Sequence, residues 1–151
     1  MASPKWLNST EMRLWRAFLA SASGVTTALD AQLKAETGIS FDDYEVLVFL
    51  SEAPDRRLRM SELSTALIHS KSRLTQRVDR LTTRGWVERV KCVEDARGTW
   101  AVITKEGMAA IDAAAPQHLA HVRESFIDHF TADEKAVVMK ALERIADCAR
   151  G

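Results

Sequence analysis

The sequence predicts a mainly α fold with one small β-hairpin. Three observations predict it. Over most of the 151 residues, apolar side chains recur at three- and four-residue steps, the period of an amphipathic helix. The period falls to two over only two short stretches, residues 87–92 and 99–103. Ser, Thr or Asn heads most of the periodic segments, where a helix needs a side-chain oxygen for its first free N–H groups.

The first helix is expected over residues 11–36. Asn8 or Ser9 caps it, and Asn8 with Glu11 has the spacing of a capping box. Leu14, Trp15, Phe18, Leu19, Val25, Leu29 and Leu33 make its apolar stripe, and Gly38 ends it. Ser40 opens a second helix, with Asp43 at its third position and Ile39 and Tyr44 placed as a hydrophobic staple; Pro54 stops it. Ser61 is expected to cap a short third helix over residues 62–68. Ser70 caps a fourth that runs to Arg84 and ends at Gly85. At 100° per residue its Leu74, Val78 and Leu81 fall within about 60° of one another. Its other side carries Ser72, Arg73, Gln76, Arg80 and Thr83, with Arg77 and Arg84 at the edge.

Residues 87–92 alternate like a strand, and residues 99–103 are β-branched and aromatic. The charged turn at residues 94–98 makes them a hairpin. Thr104 caps a fifth helix expected to reach about residue 130, with Pro116 as a kink. Thr131 and Glu134 form a capping box for a last helix to residue 149, which holds Val137, Val138, Met139, Leu142, Ile145 and Ala146.

Composition narrows the function. Apolar residues make up 46% of the chain, enough for a core. Lys plus Arg and Asp plus Glu are both 21, so a protein that coats nucleic acid over its whole surface is excluded. The balance hides a distribution. Residues 1–55 carry 4 basic and 8 acidic side chains, residues 56–97 carry 11 and 5, and residues 98–151 carry 6 and 8. The middle is a basic island of net +6 between acidic flanks. Cys92 and Cys148 make neither a disulfide framework nor a CxxC zinc pair. No apolar run approaches the roughly 18 residues of a membrane span, and residues 1–8 lack the apolar stretch of a signal peptide. The expectation is a cytoplasmic protein. There is no GxSxG, HExxH or phosphate-cradling glycine loop, so no enzyme, cofactor or metal is expected.

Two short helices joined tightly, then a hairpin, form the pattern of a winged helix-turn-helix. Reading DNA asks for a helix N-terminus near phosphate, polar side chains at base edges and cations that replace condensed counterions. Ser70, Lys71, Ser72, Arg73, Thr75, Gln76 and Arg77 meet that demand, with Arg80 and Arg84 further along the helix. Arg97 tips the hairpin between Ala96 and Gly98, where a narrow minor groove admits guanidinium. Asp95, two positions back, is near enough to orient it.

These residues carry a resemblance. The runs Met60-Ser-Glu-Leu-Ser, Ser70-Lys-Ser-Arg-Leu-Thr-Gln-Arg-Val-Asp-Arg-Leu, Arg84-Gly-Trp-Val-Glu-Arg, Asp95-Ala-Arg97-Gly and Ile103-Thr-Lys-Glu-Gly107 resemble the MarR family of bacterial transcriptional regulators. The resemblance covers nearly the whole chain. It implies one domain over residues 1–151, with a winged helix-turn-helix DNA-binding lobe at 38–105 and helical dimerisation arms at 8–37 and 106–151. It implies a homodimer, most simply a repressor, whose lobes face successive major grooves of a pseudo-palindromic double-stranded operator. It also implies a small-molecule or redox input near the junction of lobe and arms; the candidate small-molecule effector is aromatic or phenolic. Trp15, Phe18, Tyr44 and Trp100 are the candidate effector-binding aromatics, against an ordinary role in the core. Many family members carry Arg in the place of Gln76; Gln suits adenine where Arg suits guanine.

Two other readings remain open on the residues. One is a winged-helix module whose basic face meets an acidic protein. The other is DNA binding switched by oxidation of Cys92. His118 and His121, three apart on the fifth helix, are a further candidate pair for a metal, set against two ordinary surface histidines.

Overall fold

The computed structural model describes residues 4–151; the signal-peptide reading rests in part on residues 1–3, which lie outside them. The first helix, α1, spans Ser9–Thr37. The Asn8 side chain accepts the Glu11 N–H at 2.9 Å, and the Glu11 carboxylate accepts the Asn8 N–H at 2.8 Å, the expected reciprocal cap. Gly38 ends the helix at φ +74°, a conformation that costs glycine no steric penalty. Ser40 caps α2, Phe41–Glu52, by accepting the Asp43 N–H. Asp30 of α1 accepts the Phe41 N–H at 2.9 Å and pairs with Lys34, which pins the corner between the two helices.

After α2 the structure departs from expectation. A 3-10 turn at Pro54–Arg56 leads into a third strand, β1, Arg57–Arg59. The hairpin strands are β2, Val87–Lys91, and β3, Thr99–Ile103. The antiparallel sheet runs β1-β3-β2, with Trp100 opposite both Arg59 and Val90. A strand of one leucine between two arginines carries too little alternation to be read from the sequence. Helix α3 occupies Met60–Ala66, two residues earlier than expected, and Ser61 is not its cap. Glu62 instead reaches back to the Arg59 N–H at 3.0 Å, and Ile68 turns left-handed at φ +54°, which stops the helix early. Helix α4, Lys71–Thr83, starts at Ser70 as expected, and Gly85 at φ +75° ends the approach to β2.

Helix α5 spans Lys105–Ser125 and continues as helix through Pro116. It stops five residues short of residue 130. Phe126 leaves helical geometry at φ −139°, a 3-10 turn follows at Ile127–His129, and the Phe126 and Phe130 rings meet edge to face at 5.1 Å. His129 therefore lies in that turn rather than on the helix. Helix α6, Ala132–Arg150, begins with the expected Thr131–Glu134 box.

The core lies under the lobe. Tyr44, Val46, Leu47 and Leu50 of α2 meet Leu63, Leu74, Val78 and Leu81 of α3 and α4, the sheet's Ala101 and Ile103, and Ile111 and Ala114 of α5. Gly107 lets α5 approach closely: a Cβ there would sit 2.3 Å from the Trp86 carbonyl oxygen. The arms are different. Of α1 only Leu29 and Leu33 are buried, and α6 buries nothing. Trp15, Phe18, Leu19, Val137, Met139, Leu142 and Ile145 remain exposed on the single chain.

Candidate nucleic-acid interface

Helix α4 buries Leu74, Val78 and Leu81 against α2 and leaves its polar side outward. Ser70, Lys71, Ser72, Arg73, Thr75 and Gln76 are all exposed. The Ser70 hydroxyl accepts the Arg73 N–H at 3.3 Å and lies 3.3 Å from the Ser72 hydroxyl. The first turn of α4 therefore presents free N–H groups, hydroxyls and two cations on one edge, the arrangement that binds phosphate.

Beside that edge stands the wing. A cleft of about 470 Å³ separates α4 from the hairpin, lined by Arg59, Lys71, Arg89 and Arg97 with Ser61, Thr75 and Thr99. Among the described residues, Asp95 is the one acidic residue on its wall. Arg59 and Arg89 escaped the sequence reading. Arg59 sits on the unforeseen β1. Arg89 was read only as part of an alternating strand, yet it pairs with Asp79 at 2.6 Å and donates to the Thr75 carbonyl at 3.2 Å. Its basic character inside the strand was the available signal.

The wing tip differs from expectation in one contact. Asp95 does not hold the Arg97 guanidinium. Its carboxylate accepts the Arg97 backbone N–H at 3.0 Å, an Asx turn, and faces Arg59 at 3.9 Å. Arg97 is exposed at the tip. Asp95 thus shapes the loop and leaves the arginine to point outward.

Three expected contact residues are turned elsewhere. Arg77 is only 8% exposed; it donates to the Asp43 carboxylate at 3.2 Å and also to Asp42. Arg80 forks onto Asp43 at 2.8 and 3.0 Å, and that hydrogen bond pushes its pKa above the ordinary arginine value. Arg84 donates to the Gly38 carbonyl at 2.8 Å and stacks over Trp86. The helical wheel grouped them with the polar face. Carboxylates from α2 hold Arg77 and Arg80 and carbonyls at the end of α1 hold Arg84, so that edge is tied to protein even where Arg80 and Arg84 stay exposed.

The four effector aromatics do not come together. Trp15 and Phe18 stack at 5.9 Å on the open half of α1. Tyr44 is buried, with its ring 4.6 Å from that of His118. Trp100 lies on the sheet beneath the Arg57 and Arg59 guanidinium groups, at 4.5 and 5.3 Å. His118 points its Nδ1 toward Gln32 at 3.4 Å, and His121 lies 4.0 Å from Glu36 and 3.8 Å from Glu124. No group of three or more metal-ligating side chains forms among the described residues. Cys92 is buried behind the wing, where its Sγ would stand 3.1 Å from a Cβ on Gly98, and Cys148 is exposed.

A sequence model of the MarR family matches residues 37–98, which hold the α2–α4 lobe and most of the wing. The crystal structure of AbsC, a MarR family transcriptional regulator from Streptomyces coelicolor, is 39% identical. It covers 98% of this chain and is itself covered to 99%, with a TM-score of 0.91. The chain belongs to the MarR family. A second MarR structure, Sco3205 from the same organism in complex with DNA, is 35% identical over 96% of this chain and 91% of its own, with a TM-score of 0.92. The repressor YetL of Bacillus subtilis is 29% identical over 108 residues, 72% of this chain; the match spans less than two thirds of YetL, 64%. The family is one of transcriptional regulators, and the MarR frame accounts for the mainly helical chain with its small antiparallel sheet. No helix among the described residues is long and apolar enough to cross a membrane.

Proposed function

We propose that this chain is a sequence-specific, double-stranded DNA-binding transcriptional repressor that acts as a homodimer in the cytoplasm, without a catalytic step. The observation that carries the reading is the open edge of α4 set beside the cationic cleft. Lys71, Arg59, Arg89 and Arg97 line one groove-sized cleft, and Arg73 and Gln76 are exposed on the same helix. Ser70, Lys71, Ser72 and Arg73 take the backbone, Thr75 and Gln76 reach base edges, and Arg97 enters the flanking minor groove. Residues 38–105 form the DNA-binding lobe, and residues 8–37 and 106–151 are the dimerisation arms. Support for the arms comes from the apolar stripes of α1 and α6, which one chain leaves uncovered. A two-fold dimer meets a pseudo-palindromic operator. A small aromatic or phenolic effector releases it by favouring an arrangement in which the two lobes no longer match the half-sites.

The test is selection of bound duplexes from a random pool, followed by titration of the selected palindrome and a scrambled duplex of equal composition. The expected result is tighter binding of the palindrome, with Gln76→Ala relaxing one base position per half-site at a cost of about 1–3 kcal/mol. Equal affinity for palindrome and scrambled DNA overturns the reading.

A further inference from the structure

Arg77, Arg80 and Arg84 lie three and four residues apart, so they form one stripe along α4. All three meet the corner where α1 becomes α2. Arg77 and Arg80 share Asp43, which is 5% exposed, and Arg77 adds Asp42. Arg84 donates to the Thr37 and Gly38 carbonyls at 3.4 and 2.8 Å, at the C-terminal end of α1 where the helix dipole is negative. The corner is itself tied by Asp30, which holds both Lys34 and the Phe41 N–H. The helix that faces DNA is therefore braced at two side chains to the first turn of α2 and at a third to the end of the 29-residue arm, the two sides of one corner.

We propose that Asp42, Asp43, Arg77, Arg80 and Arg84 are positioning residues: they fix the angle of α4 to the arm and so set the half-site spacing that the dimer accepts. The inference rests on the DNA-binding reading above. Its logic is geometric. Bases are read only when α4 lies at one angle in the groove, and in a dimer that angle must hold in both lobes at once. A charged pair buried with several hydrogen bonds is a stiff joint, since losing one member strands the other without solvent. The stripe supplies that joint and spends its charges on protein.

The brace and a direct phosphate contact predict opposite signs. Removing an acid beside a DNA-binding surface raises its positive charge, and electrostatics alone then tightens binding. If Asp43 holds α4, Asp43→Asn loosens it instead. The experiment titrates the wild type, Asp43→Asn and Arg84→Gln against the selected palindrome, the same half-sites moved one base pair apart or together, and the scrambled duplex, over a salt series. Circular dichroism melts accompany each variant. For the brace, Asp43→Asn weakens binding to the native spacing by about tenfold or more, the scale of losing base readout in a half-site. Arg84→Gln narrows the preference for native over altered spacing, and its slope of log K against log[salt] stays that of the wild type. A slope shallower by about 1.8 per dimer marks Arg84 as a phosphate ligand and overturns the proposal. So does Asp43→Asn binding as tightly as wild type with the same spacing preference. If Asp43→Asn does not fold, Arg84→Gln decides alone, because its side chain is exposed. If the wild type itself ignores the palindrome, the functional reading fails first and the brace falls with it.

Discussion

His118 shows how one buried side chain ties stability to pH. It is 7% exposed, packed against Tyr44, and burial pushes its pKa below the ordinary 6.5, helped by His121 and opposed by Glu36. His69 is shifted the same way, again by burial and by Arg77 beside it. As pH falls, the unfolded chain takes up these protons before the folded one does. Stability is therefore fully present above pH 6.5 and is lost as pH falls through the lower folded value. Urea midpoints should drop as pH falls below the ordinary histidine value of 6.5, and His118→Gln should flatten part of that drop. A variant with the full wild-type pH dependence would leave His118 out of the account. The same scale shows what a sequence hides. Arg77 occupies a polar edge on a helical wheel, and nothing local says that Asp42 and Asp43, 34 residues and more away, will close over it. Asp95 was legible as an important neighbour of Arg97. Whether it would grip the guanidinium or the backbone N–H depended on a loop shape that spacing does not encode.

At the scale of elements, the caps were the most readable feature, because a cap is local chemistry. Asn8 with Glu11, Ser40, Ser70, Thr104 and Thr131 all cap where the spacing predicts. Strand β1 and the end of α5 were not readable, because each is decided by a partner. The pairing of Arg57–Arg59 with β3 makes the one, and Phe126 meeting Phe130 accompanies the end of the other. The wing is the element on which a prediction turns. Arg97→Ala should weaken operator binding, most where the flanks are A·T-rich and the minor groove narrow. Arg97→Lys should rescue only partly, because ammonium is more strongly hydrated than guanidinium. Asp95→Ala removes the Arg97 N–H acceptor and the Arg59 partner, so it should cost about 0.5–1.5 kcal/mol of stability in the loop and a smaller loss of affinity. Titration on A·T-rich and G·C-rich flanks separates these outcomes. Wild-type affinity for Arg97→Ala on both flanks would take the wing out of recognition.

At the scale of the molecule, the lobe was foreseen as a winged helix, and the arms as apolar stripes in need of cover. Exposure of Trp15, Leu142 and Ile145 on the isolated chain keeps that need in view. If each subunit neutralises about four phosphates, a dimer neutralises about eight, and log K against log[salt] should slope near −7. Ile145→Glu places a charge in the α6 stripe. Sedimentation should then find monomers, and the slope should fall to about half. A wild-type slope shallower than about −2, or Ile145→Glu remaining dimeric at unchanged slope, would set aside paired binding through these arms. If the proposed dimer forms, each copy carries half of a second core turned outward and completes its folding by meeting another copy. Stability then follows mass action: the melting temperature should rise with protein concentration and sink on dilution. A cell holding few molecules would hold them partly unpaired, open to proteases, and would clear them faster than a cell holding many. Melting curves recorded across a hundredfold dilution, on the order of a few kcal/mol in pairing free energy, would reveal the dependence, and a melting temperature that ignores dilution would mean the arms close on their own chain.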